Sequence, residues 1–440
     1  MPVLTRRLAL VALVVAVVRV ALPDDLPTGD FWTDLAVMLG VLLVVAAIDF
    51  VLTASPARIE VEREVPAVVV LDHEATITWR FTNTVKRALR VAFADELAPS
   101  LHAETRRAAL TLPPEGAATV RVPIRPSRRG RFTPTGLTVR VTGPLGLAGK
   151  QQTRQLPSVL RVHPPFRSKD EAELRINKAR LLEVGLRSAQ GRGGGTEFEQ
   201  LREYGPDDEF RRVDWAATAR AGRAIVRTYR AERNQTVLVM LDAGRLMAAR
   251  VDDVPRLEHA MDAALMLTTV ATRLGDKCGL LVFDAEVGRI INPSKTRAQV
   301  GAVTEALFDL EAQLVETDYR AAFASAITRF RRRALLVLLT ELVEQAAEES
   351  LVPALPLITR SHVVVIGAVR DPEVERWAAE TGDDPEVVYR RAAALAALAE
   401  RGRVAARLRA MGATVVDAAP GQLSGDLADT YLRLKAIGRL

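Results

Sequence analysis

After Gln235, short and wholly apolar runs alternate with longer stretches of helical periodicity, and no other feature constrains the fold as much. The run from Val237 to Leu241 is apolar on both faces, as a strand buried inside a parallel sheet must be. The pattern then predicts a helix over 255–274, a strand over 278–283, an edge strand over 287–291 and helices over 297–310 and 319–332. Strands over 334–339 and 362–367, a helix over 385–411, a strand over 414–417 and a helix over 427–437 complete it. Such a series specifies a doubly wound, mostly parallel α/β sheet with helices on both faces. The alanines and leucines of the last third then belong to helix packing rather than to a cofactor box. Ligand crevices of open α/β sheets lie beyond the carboxyl ends of the strands. That rule selects Asp242 after the first strand, Thr317 and Asp318 before the 319–332 helix, and Thr340 with Glu341 after the 334–339 strand.

At 440 residues the chain is too long for one core, and three further regions precede this one. Apolar segments over 8–22 and 31–53, separated by an acidic turn over 23–30, read as a transmembrane helical hairpin. Arg6 and Arg7 precede it, Arg58 and Arg63 follow it, and its connecting loop has no lysine or arginine. The positive-inside rule then puts both ends of the hairpin, and the rest of the chain, in the cytoplasm at the plasma membrane. A cleaved signal peptide is the rival for the first segment, but no small-x-small cleavage site follows it. The balance of 60 basic against 54 acidic residues, +6 in all, suits an anionic membrane surface as neighbour. The single cysteine, Cys278, excludes an intramolecular disulfide, and the five histidines have no metal-ligand spacing.

From residue 56 to 165, short runs of period-two alternation separated by turn residues indicate a half-buried antiparallel β-sandwich of immunoglobulin-like type. Pro164-Pro165 closes it, and 169–184 follows a helical pattern with Leu174, Leu181 and Leu182 as the candidate buried positions. The glycine-rich loop at 191–195 lacks the lysine and hydroxyl of a phosphate-binding loop and reads as a connector.

The remaining segment, 166–234, carries a dense charged block: Arg202, Glu203, Asp207, Asp208, Glu209, Arg211, Arg212, Asp214 and Arg220 around Tyr204, Phe210 and Trp215. Its carboxylates and Tyr204 are candidate acids and bases. Each acid has an arginine within a few positions, however, and such a partner holds a carboxylate ionised, the reverse of what a general acid needs. The block therefore reads as ion-paired structure and interaction surface, with Trp215 as its packing anchor against the following sheet. The arginines are interleaved with acids and no recognition motif appears, which argues against nucleic acid.

Two resemblances follow from these residues. Asp242, Thr317 and Glu341 are arranged as in a von Willebrand factor A-like domain, whose metal-ion-dependent adhesion site uses Asp-x-Ser-x-Ser, a distant Thr and a distant Asp. Here Gly244 and Leu246 stand where the serines belong and Glu341 where the later aspartate belongs. Magnesium, which wants octahedral oxygen ligation, would find this a degenerate site, and a metal-free rim is the reading adopted. The second resemblance is carried by Phe198-x-x-Leu201-Arg202-Glu203-Tyr204-x-Pro206-x-Asp208, Arg212-x-Asp214-Trp215 and Ala217-x-Ala219-Arg220, with Arg129-Gly130-Arg131-Phe132 and Gly143-Pro144-Leu145-Gly146-Leu147 upstream. Together these are similar to the domain-of-unknown-function 58 family, with Asp207 where the family commonly has glycine. That resemblance implies no established activity. It implies an association with MoxR-type AAA+ ATPases, and the chain is expected to be a cytoplasm-facing, membrane-anchored adaptor without enzymatic function or cofactor, its A-like domain and Arg202, Glu203, Tyr204, Asp208, Arg212, Asp214, Trp215 and Arg220 forming one docking surface. The alternative from another class is a divalent-metal-dependent hydrolase built on Asp242, Thr317 and Glu341.

Overall fold

The computed structural model describes residues 1–21, 31–189, 197–205, 210, 213–230 and 234–440. The chain forms two compact units, Met1–His163 and Pro164–Leu440.

In the first unit the apolar segments are helices, Arg6–Ala21 and Phe31–Leu52. Among the described residues one helical stretch, Phe31–Arg58, is long and apolar enough to cross a membrane. The first helix does not meet that test, because its 16 residues rise only about 24 Å and include Arg19. Arg19 is buried and pairs with Asp34 of the second helix at 3.1 Å, so each charge has a counter-ion where water is scarce.

The β-rich region folds as sheets whose alternate residues face one core. Ile59–Glu64, Ala75–Asn83 and Ala117–Ile124 make an antiparallel sheet. Ala148–Gln155, Gly136–Thr142, Leu89–Asp95 and Arg107–Leu112 make a second, to whose edge the amino-terminal strand Pro2–Leu4 adds. Ile77, Trp79 and Phe81 from the first meet Val91, Phe93, Val139 and Val141 from the second, all buried. Trp79 Nε1 donates to Asp95 at 2.6 Å, and the other Asp95 oxygen takes Arg63 at 2.6 Å with both side chains fully enclosed. The loop after Gly136–Thr142 is tied to the second helix. Asp49, buried near the end of that helix, accepts the backbone N–H groups of Leu145, Leu147 and Ala148 at 2.8, 2.8 and 2.9 Å. Gly143 is required there, since a Cβ would lie 2.5 Å from either Asp49 oxygen.

The second unit is built on a six-stranded sheet. Its strands in chain order are β1 (Thr236–Asp242), β2 (Lys277–Phe283), β3 (Val287–Ser294), β4 (Leu335–Leu339), β5 (Val363–Val369) and β6 (Thr414–Ala418). They lie in the order β3-β2-β1-β4-β5-β6, all parallel but for the antiparallel edge strand β3. Helices Arg256–Arg273 and Leu423–Ala436 cover one face, and Tyr319–Arg329, Val352–Thr359 and Pro385–Ala410 the other. The strand order reverses at β1 and β4, which opens the crevice at their carboxyl ends. Helices Val352–Thr359, with Pro356 inside it, and Pro372–Ala379 add to the predicted series. The helix after Pro164-Pro165 runs over Lys169–Ala189. It buries Ala172 and Ile176 and leaves Leu174 and Leu181 exposed, so the predicted leucine stripe is the outer face; Leu182 lies outside the described side chains. The small Ala172 and the four-residue step to Ile176 allow a closer approach to the sheet helices than the leucines would.

Candidate functional site

At the carboxyl end of β1, Asp242 is fully buried. Gly244 N and Thr317 Oγ1 donate to its Oδ1 at 2.8 Å each. Thr340 Oγ1 and Tyr319 Oη donate to its Oδ2 at 2.6 and 3.1 Å, and these two hydroxyls are 2.8 Å apart. The loop geometry that brings Thr317 here is backbone lacing: Gln313 N donates to Ala243 O and Arg245 N to Val315 O. Asp318 faces away and caps the Tyr319–Arg329 helix through Ala321 N. Burial pushes the Asp242 carboxyl above the usual carboxylate range, opposed by the four hydrogen bonds. Burial, and then the neighbouring Asp242 charge, push the Tyr319 phenol well above its ordinary value, so it stays protonated near neutrality.

These residues do not fit a magnesium ion. Each Asp242 oxygen accepts two protein hydrogen bonds, so the four lone-pair directions of the carboxylate are used within the protein. A Cβ at residue 244 would lie 2.1 Å from Thr317 Oγ1. The threonine hydroxyl thus fills the space that a serine side chain there would need. Among the described residues no group of three or more His, Cys, Asp or Glu side chains is arranged to hold a metal. Gly244→Ser is accordingly expected to destabilise the protein by about 1–3 kcal/mol through overpacking and to confer no magnesium-dependent thermal shift. Differential scanning calorimetry with and without the ion checks both parts, and a stabilising, magnesium-responsive variant is the contrary result.

Glu341, placed with Asp242 and Thr317 by the sequence, turns elsewhere. Its carboxylate is held by Arg401 and lies 2.9 Å from Arg256 Nε. Arg401 also grips Asp417 at the end of β6, with Nε to Oδ2 at 2.9 Å and Nη2 to Oδ1 at 2.8 Å, and donates to Val369 O at 3.1 Å. Two carboxylates and two guanidinium groups close this network on themselves. Above the rim the surface is mixed, with Leu314 83% exposed beside the Arg245–Glu316 pair at 2.6 Å. Cys278 is enclosed under the sheet, and burial pushes its thiol up to about 12, which rules it out as a thiolate nucleophile.

The charged segment forms a small structure of its own. Strands Glu197–Glu203 and Ile225–Arg230 pair antiparallel, and helix Trp215–Ala221 lies between them in sequence. Asp214 caps that helix through Ala217 N at 3.0 Å and takes Arg227 Nε at 2.6 Å. The Arg227 hydrogen bond holds its carboxyl below the ordinary value. Glu203 pairs with Arg223, Arg202 donates to Glu203 O at 3.0 Å, and Tyr204 N donates to Ala224 O at 2.9 Å. Arg220 is exposed. Asp208 and Arg212 lie outside the described residues. Among the described residues, the side-chain partners of Glu203 and Asp214 are Arg223 and Arg227, which lie just before and within the second strand. Trp215 departs from expectation. It is 61% exposed and meets Phe210, itself 68% exposed, edge to face at 5.4 Å. Among the described residues of this part the buried apolar side chains are Val213, Ala217, Ile225 and Val226, so its packing does not rest on the tryptophan. The β-branched and aromatic content of Ile225-Val226-Arg227-Thr228-Tyr229 is the sequence signal for its second strand.

No curated protein matches this sequence. Among solved structures, the conserved hypothetical protein BatB from Bacteroides thetaiotaomicron is 17% identical, with a TM-score of 0.32 over 46% of this chain and 99% of that one. Residues 200–379 match the family model described as protein of unknown function DUF58. The match begins inside the strand pair at Gln200 and runs through β1, the Asp242 cluster, β4 and β5. Over those residues the chain is similar to the DUF58 family.

Proposed function

We propose that this protein is a membrane-anchored docking protein whose recognition surface is the strand pair and helix around Phe210 and Trp215. The observation that carries the reading is the exposed aromatic pair, in a segment that also holds the exposed Glu203–Arg223 ion pair and exposed Arg220. Exposed Trp and Arg beside a polar rim are the residue types that concentrate binding energy in protein interfaces. A MoxR-type AAA+ ATPase is the partner class. The hydrolase reading has no support from Asp242, whose acceptor capacity is used within the protein.

We read the sheets of the first unit as an immunoglobulin-like sandwich and the six-stranded sheet as an A-like domain, the latter supported by its strand order and single antiparallel edge. We also read the two helices as a hairpin with both ends on the cytoplasmic side. Its support is the pairing of Pro2–Leu4 with 148–150, because a strand before the first helix and a strand after the second then share one sheet. The short first helix would cross only with help from the Arg19–Asp34 pair and from local thinning of the bilayer.

Co-purification of the full chain with a co-expressed MoxR-type ATPase tests the docking surface. Trp215→Ala is expected to weaken capture by about thirtyfold, the size of a typical hot spot. Equal capture by wild type and variant overturns the surface, and capture by neither overturns the partner class.

A further inference from the structure

We propose that the Gly143–Leu147 loop and its surrounding arginines form a site for the headgroup of an anionic glycerophospholipid, an inference that rests on the membrane-anchored reading. The loop is fastened to the last turns of the apolar Phe31–Leu52 helix. Asp49 accepts the Leu145 amide at 2.8 Å, and Thr5, just before the first helix, donates its hydroxyl to Gly146 O at 2.6 Å. The loop therefore sits at the depth where that helix leaves the bilayer. At its tip Leu145 is 54% exposed, and the last turns of the helix that holds the loop expose Ile48, 52%, and Val51, 75%. A leucine in that place continues the apolar surface of the helix instead of facing bulk water.

Cations hold the loop on either side of the leucine and the helix end beneath it. Arg90 Nη2 donates to Pro144 O at 2.7 Å, and the Arg7 guanidinium lies against Gly146. Arg87 donates to Leu52 O and Lys150 Nζ to Thr53 O at 2.6 Å, so the orphan carbonyls at the helix end are met by positive side chains. Arg7, Arg87 and Arg90 are all exposed. The nearest carboxylate, Asp49, is buried with both oxygens occupied by backbone N–H groups. An apolar tip that enters the acyl region, ringed by guanidinium groups at the phosphate level, is complementary to phosphatidylglycerol or a similar lipid and not to a zwitterionic one.

The test uses the full chain reconstituted into vesicles of equal phosphatidylcholine and phosphatidylglycerol, with analysis of the lipids that stay bound after mild detergent extraction. Wild type is expected to retain phosphatidylglycerol preferentially, and Arg7→Gln with Arg90→Gln to lose that preference by about fivefold per arginine. Leu145→Ser, which leaves every arginine in place, is expected to reduce the total lipid retained. Raising the salt concentration should erode the wild-type preference without any substitution. Equal retention of both lipids by wild type overturns the proposal, as does a preference that neither the arginine nor the leucine variant changes. Flotation after alkaline carbonate reports the anchor separately. A chain that floats but shows no lipid preference leaves the anchored reading standing, whereas a chain that does not float removes the anchor and this site with it.

Discussion

Asp242→Ala is expected to destabilise the second unit by about 3 kcal/mol and to lower its unfolding temperature by roughly 8 °C. The carboxylate organises four donors from three separate parts of the chain: Gly244 N, Thr317, Tyr319 and Thr340. Alanine leaves the Gly244 amide and the hydroxyls without an acceptor in a space that is closed to water. Tyr319 and Thr340 can still bond each other across 2.8 Å, which limits the loss. Asp242→Asn keeps the shape and one strong acceptor, and the hydroxyls can turn to accept from its amide, so its cost is about 1 kcal/mol. The pH dependence separates the two effects. Burial raises the Asp242 pKa on folding, so this group's contribution to stability is complete below its unfolded value, about 3.9, and is lost as pH rises through the folded value. Asp242→Asn cannot titrate. The stability gap between wild type and Asp242→Asn should therefore be widest below about pH 4 and shrink as the pH is raised. Thermal unfolding across that range, with amide exchange of Val237–Leu241 as a local readout, measures it. A gap that widens with pH, or a wild type that is stabilised by magnesium while Asp242→Asn is not, would show that the carboxylate works as an anion or a ligand.

The sequence made some of this legible and hid the rest for identifiable reasons. The strands of the second sheet were readable because a doubly covered sheet leaves its central strands no polar face: every residue from Val237 to Asp242 is buried. The position of Asp242 and Thr317 followed from parallel topology alone. Glu341 did not, because adjacent residues on a strand end point to opposite sides: Thr340 faces Asp242, while Glu341 faces Arg256 and Arg401. Arg401 lies sixty positions away in a helix of many arginines, and no local pattern marks it out. Trp215 illustrates a further limit. Large aromatics are buried on average, yet here the seven-residue helix Trp215–Ala221 buries Ala217 and leaves its first residue in solvent. In the helix after Pro164-Pro165, leucine content pointed to the wrong stripe, because Ile176 and Ala172 fit the neighbouring helices and the leucines face out.

Arg401→Met should be the costliest single change outside the hydrophobic core, at about 3–5 kcal/mol. Its side chain is 13% exposed and spans three strand ends, meeting Glu341 after β4, Val369 O at the end of β5 and Asp417 in β6. Desolvation would by itself lower the guanidinium pKa, but Asp417 and Glu341 hold it well above the ordinary value, so the group stays charged at any accessible pH. Methionine fills much of the same volume and removes the charge, which isolates the electrostatic part of the loss from a cavity. Asp417 would be left without this partner and Glu341, 3% exposed, with only the Arg256 contact, which at 2.9 Å is not aligned as a hydrogen bond. Arg403→Met is the internal control. Its carboxylate partner Glu344 is 30% exposed and Arg403 itself 60%, so that pair is worth about 0–1 kcal/mol. Both variants lie on the same helix, and helix propensity cancels in the comparison. Adding Asp417→Asn to Arg401→Met should cost less than the sum of the two single changes, because the second substitution removes a charge that the first has already stranded. Strict additivity in that cycle, or equal losses for Arg401→Met and Arg403→Met, would mean that β4, β5 and β6 are held by their backbone ladder and core alone, with the buried arginine making no net contribution to the rim.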